Sequence, residues 1–297
     1  MANQVTTSKP KFSVAIQSDV VKKLIHNTLG NPQKAQRFTA SITSAVATNP
    51  ALQECEPMSV ISGALLGEAL DLSPSPQLGE YYLVPYKNTK KGTVEGQFQI
   101  GYKGLLHLAI RSGQYKDIDV MDIREGEFKG RDKETGKFIF SFTENEEERL
   151  SKPVIGYMAY FEMLNGFKKT LYMSKKEMEI HANTYSKAFN LEDYEKLKAG
   201  KIPQKDLWKY SSFWYKSFDT MAYKTLLRQL LSKWGIMSIE LRDAFVKDQA
   251  VLHENGDFEY VDNKVNSDGV QEANYVEKES EEPEEVESEE LKLSDFE

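Results

Sequence analysis

One stretch, residues 80–114 (EYYLVPYKNTKKGTVEGQFQIGYKGLLHLAIRSGQ), constrains the fold of this chain most. Residues 81–86 are aromatic and β-branched, as strands are. Residues 88–92, Asn-Thr-Lys-Lys-Gly, carry turn chemistry, and residues 97–100 alternate polar and apolar so that one face of a second strand can be buried. Gly101 and Gly104 open a helix that continues to Arg111 and stops at Gly113. The unit predicts a hairpin followed by a glycine-started helix. Lys87, Lys90, Lys91, Lys103 and Arg111 all fall within it, opposed by Glu80 and Glu95, a combination suited to a polyanion.

The formal charge of −8 argues against such a partner until it is divided along the chain. Residues 254–297 hold 17 acidic and 3 basic residues, so the preceding part holds 29 acidic and 35 basic, a net of +6. The chain is a mildly basic body with an acidic tail, and a nucleic-acid partner is permitted. At 297 residues there is ample chain for a core. No run of eighteen apolar residues exists to span a membrane, and the polar start lacks the apolar segment of a signal peptide. A single cysteine, Cys55, excludes an internal disulfide and fits a reducing cytoplasm. With four scattered histidines it makes no zinc-ligand spacing.

Three regions are expected: a loose terminus at 1–11, a folded body at 12–253, and an acidic tail at 254–297 whose composition predicts disorder. Within the body, helices are expected over 14–29, 33–47 and 58–72, punctuated by Asn31-Pro32, Asn49-Pro50, Pro57 and Ser73-Pro74. In the third, Gly63, Ala64 and Gly67 leave one side small, which allows another backbone to approach closely. Strands are expected at 80–87, 94–100, 117–124, 137–143, 153–164 and 168–173, with turns at 132–136 and Asn165-Gly166. Ser174 with Glu177 reads as a capping box for the next helix. One long helix is expected from about 203 to 234 and another over 238–252. The fold class is α+β.

A second basic element coincides with the long helix. Residues 201–235 carry Lys201, Lys205, Lys209, Lys216, Lys224, Arg228 and Lys233 against Asp206 and Asp219, interleaved with Trp208, Tyr210, Phe213, Trp214, Tyr215, Phe218 and Tyr223. At about 100° per residue, Lys209, Phe213, Lys216, Thr220, Lys224 and Arg228 share one face, while Trp214, Phe218, Met221 and Ala222 lie opposite. In the short helix after the hairpin, Lys103, His107 and Arg111 align against Leu105, Leu108 and Ala109, and the helix start at Gly101 offers unpaired amides to a phosphate. Lysine and arginine neutralise phosphates, and aromatic faces stack on bases without sequence preference.

Motor and hydrolase chemistry finds no purchase. The Gly-Lys pairs at 136–137 and 200–201 are followed by Phe138 and Ile202, so neither is a Walker A motif, and neither G-x-S-x-G nor H-E-x-x-H occurs. Carboxylates do cluster at Asp117, Asp119, Asp122, Glu125 and Glu127. Glu127-Phe128-Lys129 has the E-x-K spacing of one class of metal-dependent nucleases, for which Asp117 or Asp122 would supply a further Mg²⁺ ligand.

Pro57-x-Ser59, Ala64 and Ala69, Leu72-x-Pro74, Gly79, residues 82–86 (Tyr-Leu-Val-Pro-Tyr), residues 97–104 (Gln-Phe-Gln-Ile-Gly-Tyr-Lys-Gly) and Arg111-Ser112-Gly113 together resemble the RecT family of phage and prophage single-strand annealing proteins. The resemblance covers roughly residues 15–250, is densest at 57–113, and leaves the acidic tail outside. It implies ATP-independent binding of single-stranded DNA and annealing of complementary strands in phage homologous recombination. It also implies a ring or helical filament of many copies, a phage 5′→3′ exonuclease as companion, and the cytoplasm of a bacterial host as location. The implied core is a short antiparallel sheet with a helix packed on it, flanked by N-terminal and C-terminal helices. No nucleotide hydrolysis and no cofactor are expected to be required, with Mg²⁺ entering as a modulator of DNA binding.

On this basis the 80–113 unit and the 203–234 helix are expected to form two walls of a DNA groove. Lys87, Lys90, Lys91, Lys103, Arg111, Lys216, Lys224 and Arg228 would contact phosphates, and Gln97, Gln99, Tyr102, Phe213 and Trp214 sugars or bases. A groove that grips the backbone leaves base edges free for pairing to an annealed duplex intermediate. Two alternatives are a passive single-strand binder and a Mg²⁺-dependent nuclease using Asp122, Glu127 and Lys129. The tail is expected to be a solvated extension, or a self-inhibiting segment whose polyanionic run competes with DNA for the groove, or a docking segment in which Leu291, Leu293 and Phe296 anchor the exonuclease or the host single-stranded-DNA-binding protein. The helices of 15–72 are candidates for joining protomers.

Overall fold

The structure, a computed structural model, describes residues 11–253, 255, 257–260, 263–265 and 271–273. The expectations for residues 1–10 and for most of the acidic tail lie outside the described residues. The body is α+β, as its sequence predicts.

Five helices come first: α1 (Phe12–Ala15), α2 (Asp19–Leu29), α3 (Pro32–Thr48), α4 (Pro50–Gln53) and α5 (Pro57–Ala69). The single helix expected over 14–29 is two, because Ser18 leaves helical geometry and its oxygen accepts from the Val21 N–H. Asn31 and Asn49 cap α3 and α4, each followed by proline at the first helical position, where its missing N–H costs nothing. α5 is buried on almost every side. A Cβ at Gly67 would sit 2.3 Å from the Tyr81 ring and one at Gly63 2.8 Å from Leu83 Cδ2, so the small residues do permit close packing of helix on strand.

Next come β1 (Tyr81–Asn88) and β2 (Thr93–Ile100), an antiparallel hairpin in register from Tyr81↔Ile100 to Asn88↔Thr93, then α6 (Tyr102–Arg111). Leu105, Leu108 and Ala109 face inward and Lys103, His107 and Arg111 outward, as their spacing predicts. The glycines around the start of α6 have a steric cause. A Cβ at Gly101 would lie 2.0 Å from the Gly79 carbonyl oxygen, and one at Gly104 2.2 Å from that of Glu80. The amide expected to be free at Gly101 donates to the Glu80 carbonyl at 2.8 Å. This corrects the phosphate-seat expectation at that amide.

The middle of the chain forms β3 (Tyr115–Arg124), β4 (Phe128–Arg131), β5 (Phe138–Phe140), α7 (Glu146–Ser151), β6 (Val154–Met163) and β7 (Lys168–Ser174). β3, β6 and β7 make an antiparallel sheet in that order, and β4–β5 is a separate hairpin whose turn is held by the Asp132 carboxylate and Thr135. Helices resume with α8 (Lys175–Tyr185), entered through the Ser174–Glu177 capping box, and α9 (Leu191–Lys198).

The long helix expected over 203–234 is three pieces: a 3₁₀ helix (Gln204–Tyr210), α10 (Phe213–Lys216) and α11 (Phe218–Trp234). Ser217, at φ −147° and ψ 58°, breaks the last two apart, so the continuous basic face from Lys209 to Arg228 does not exist. Two serines before Phe213 and one after Lys216 hydrogen-bond more readily at helix ends than inside. The helix expected over 238–252 is also shorter: α12 (Ile239–Lys247) ends at Asp248, Gln249 takes φ 69°, and β8 (Ala250–Leu252) pairs with β2. β9 (Phe258–Tyr260) extends that sheet in the order β1-β2-β8-β9, and β10 (Asn263–Val265) pairs with β11 (Gln271–Ala273).

α5 covers one face of the first sheet and carries α1–α3 beyond it. α11 packs on α6 and on the second sheet, with Leu226, Leu227, Leu230 and Leu231 fully enclosed. This layering sets the end of β2 and the start of α6 against α10 and α11.

Candidate nucleic-acid interface

A cleft of about 90 Å³ opens where the hairpin meets α10 and α11. Tyr82, Gln99, Ile100, Gly101 and Tyr102 form one wall, and Phe213, Ser217, Thr220, Met221 and Lys224 the other. Cavities that take up benzene are about 150 Å³, so this space suits the edge of a base or a sugar–phosphate unit rather than a whole stacked ring. The two expected walls do face one another.

Each wall has a local cause. Along β1, Tyr81 and Leu83 are buried against α5, so strand alternation turns Tyr82 to the other face, where its ring meets Phe213 at 5.1 Å. Tyr102, first residue of α6, packs edge-to-face on Tyr223 of α11 at 5.4 Å. The Tyr223 hydroxyl donates to Asp122 at 3.2 Å. Burial, then Asp122 and Asp219, push the Tyr223 phenol far above its ordinary range, and burial, then Tyr102, raises that of Tyr82. Both remain neutral hydroxyls at physiological pH. Lys103 lies at the rim beside Tyr82: a Cβ on Gly79 would be 3.2 Å from the Tyr82 hydroxyl and 3.5 Å from Lys103 Cδ.

The thirteen sequence-predicted residues separate into distinct environments. Gln99, Tyr102, Phe213 and Lys224 line the cleft. Lys103 and Lys216 are exposed beside it, and Lys87 and Lys90 are exposed at the far end of the hairpin; none of these four holds an ion pair among the described residues. Lys91, at the same end, is bound to Glu259 at 2.9 Å and Glu95 at 3.4 Å.

Several residues are turned inward or occupied, which corrects their expected roles. Trp214 is 7% exposed and packs on Phe218 and Phe189, so its ring is core. Gln97 is buried; its amide donates to the Gln249 carbonyl and its oxygen accepts from Gln99 at 2.9 Å, so it fastens β8 to the hairpin. Lys224 is buried and pairs with Asp248 at 2.9 Å, and Arg228 reaches the other oxygen of Asp248 at 2.9 Å. Arg111 closes the end of α5, donating to the carbonyls of Leu70 and Asp71 and to the Asp71 carboxylate. His107, aligned with Lys103 and Arg111, is held by Glu80 at 2.7 Å. Of that outward trio only Lys103 is unengaged among the described residues.

Sequence reasoning missed Tyr82, Ser217, Thr220 and Met221 as cleft residues, and Asp248 as the carboxylate that neutralises Lys224 and Arg228 while accepting the Ile100 N–H at 3.0 Å. Strand alternation carried a signal for Tyr82. Asp248 had none, because the turn that places it was hidden inside an expected helix.

Glu127 and Asp122 of the carboxylate cluster are engaged in the fold. Glu127 is fully buried, and its oxygens accept from the Arg124 N–H at 2.7 Å, the Thr143 N–H at 3.3 Å and the Arg149 guanidinium at 2.8 Å. Burial pushes its pKa up, but these donors together bring it below the ordinary value. Asp122 is bound by Arg124, Arg149 and Tyr223. Two arginines thus occupy the face that a divalent cation would need.

The cleft has aromatic walls, and exposed lysines stand on the same elements. The RecT family model matches residues 36–286, and the chain belongs to the RecT family. It is 38% identical over 233 residues to an uncharacterized protein, YqaK, of Bacillus subtilis (strain 168), covering 78% of this chain and 70% of that one. It is 30% identical over 237 residues to Protein RecT of Escherichia coli (strain K12), covering 79% and 78% respectively. Membership places it among proteins of DNA recombination and strand annealing. No helix among the described residues is long and apolar enough to cross a membrane.

Proposed function

We propose that this protein binds single-stranded DNA along the cleft between the hairpin–α6 unit and α10–α11, and anneals complementary strands without nucleotide hydrolysis. The observation that carries the proposal is the meeting of Tyr82, Gln99 and Tyr102 with Phe213 in one cleft, with the exposed Lys103 beside Tyr82 and the exposed Lys216 next in sequence to the cleft residue Ser217. Exposed lysines attract phosphates without reading sequence, and flat side chains in the cleft meet sugars or base edges. Base edges left outside are free to pair with a second strand. Stacking in the duplex contributes about 1.4 kcal/mol per step, so pairing itself supplies direction.

Among the sequence-predicted contacts, Lys87, Lys90, Lys103 and Lys216 are exposed lysines that hold no ion pair among the described residues. If each neutralises one phosphate, the logarithm of affinity falls with the logarithm of salt at a slope of about −3. Sites this sparse are weak singly, and copies arrayed on one strand in a ring or filament make them strong together. A 5′→3′ exonuclease that exposes single strands is the fitting companion, and Mg²⁺ acts on the DNA rather than on a catalytic site. Fluorescence anisotropy with labelled oligothymidylate across a salt series tests the proposal: a slope near −3 is expected, and a flat response contradicts phosphate contact.

A further inference from the structure

We propose that Trp208 is a base-stacking platform for single-stranded DNA beyond the cleft. This rests on the single-strand-binding function proposed above and extends it to a contact that the cleft does not include. The chain has three tryptophans. Trp214 is core, and Trp234 is half-buried between the ammonium groups of Lys169 and Lys233, at 4.6 and 4.8 Å. Trp208 is 65% exposed on the 3₁₀ helix.

The fold does not need that indole in place. The segment around it is fastened by Tyr210, edge-to-face on Tyr215 at 5.1 Å, and by the Ser212 hydroxyl, which donates to the Ala188 carbonyl at 2.8 Å. The segment that carries Trp208 is rich in lysine. Lys201, Lys205, Lys209 and Lys216 are exposed, and the one acid of residues 201–216, Asp206, is paired with Lys209 at 3.1 Å. Lys209 also lies over the indole at 5.8 Å. An exposed aromatic ring with a lysine over it, on a lysine-rich segment, matches a partner that is both anionic and flat-faced, which an unpaired nucleotide is and a purely apolar protein surface is not.

Position agrees. Trp208 stands five positions before Phe213 of the cleft, at most about 18 Å of chain. That is about five duplex base steps of 3.4 Å, so a strand leaving the cleft past Phe213 reaches Trp208 on the same protomer.

Full-length protein is titrated with oligothymidylate, following indole emission and, with a labelled strand, anisotropy. Binding is expected to quench the emission of the wild type, and the quench is expected to vanish in Trp208→Phe. Trp208→Ala is expected to weaken binding by roughly 5- to 150-fold, the span of stacking one base, while Trp208→Phe keeps most of the affinity and both retain the wild-type salt slope. Undiminished anisotropy binding with unquenched emission overturns the platform alone, as does wild-type affinity in Trp208→Ala. An emission maximum that shifts with protein concentration before DNA is added, in the wild type but not in Trp208→Phe, also overturns it, by placing Trp208 between copies of the chain. No anisotropy change in the wild type overturns single-strand binding itself.

Discussion

Lys224 and Asp248 form an enclosed ion pair, Nζ to Oδ1 at 2.9 Å, that ties α11 to the start of β8. The same carboxylate oxygen accepts the Ile100 N–H, and the other takes Arg228. A carboxylate shared among two cations and a backbone amide fixes where α11 stands against the end of β2, and therefore sets the width of the cleft. Removing one partner of a buried pair leaves the other uncompensated. Asp248→Ala is therefore expected to cost about 3–5 kcal/mol in urea unfolding, whereas Arg228→Ala, at a half-exposed pair, costs about 1 kcal/mol or less.

The glycines of the Gly101-Tyr102-Lys103-Gly104 motif are expected to respond as packing residues. A methyl at Gly101 or Gly104 would press into carbonyl oxygens, and these cannot swing aside as a flexible side chain can. Gly101→Ala and Gly104→Ala should each destabilise by about 1–3 kcal/mol or more, seen as a lowered thermal midpoint without DNA. Unchanged midpoints with lost DNA affinity would instead make the glycines ligand contacts.

Glu162, near the end of the central strand β6, supplies a pH signature. Lys116 and Lys168 both bond it at 2.8 Å and hold its pKa at about 2, against an ordinary value of 4.5. Because the folded value is depressed, its contribution to stability is fully present above 4.5 and is lost as pH falls from 4.5 towards 2. Glu162→Gln should lower stability at neutral pH, where both ion pairs are formed, and flatten the stability–pH curve between 4.5 and 2, so that variant and wild type converge at acid pH in denaturant unfolding at stepped pH.

Lysine and tryptophan substitutions should divide cleanly between binding and stability. Lys103→Ala combined with Lys216→Ala is expected to weaken binding of all sequences alike, reduce the salt slope by about 1.4, and leave unfolding unchanged. Trp214→Ala is expected to cost about 3–5 kcal/mol of stability because its ring fills core space against Phe218 and Phe189.

The hairpin, α6 and the capped helices were legible because their signals are local: alternation at 97–100, glycine punctuation, and Ser174 with Glu177. The facing of the hairpin unit against α10–α11 was also foreseen. What each cation does was not. Lys224, Arg228 and Arg111 read as outward charges on a helical wheel, yet their partners, Asp248, Asp71 and the Leu70 carbonyl, stand 20 to 41 residues away. Ion pairing across such separations depends on tertiary placement that periodicity does not carry. The break at Ser217 likewise rotated the predicted basic face apart: it left Phe213 in the cleft, Lys216 exposed and Trp214 in the core.

The central claim is tested most directly by mixing two complementary oligonucleotides with the protein, without ATP, in EDTA and in Mg²⁺, and following duplex formation. The account predicts annealing faster than the protein-free rate in both conditions, with intact strands, and a marked slowing in the Lys103→Ala, Lys216→Ala variant. Annealing no faster than the protein-free rate, Mg²⁺-dependent cleavage of the strands, or a double variant that anneals as fast as the wild type would contradict it.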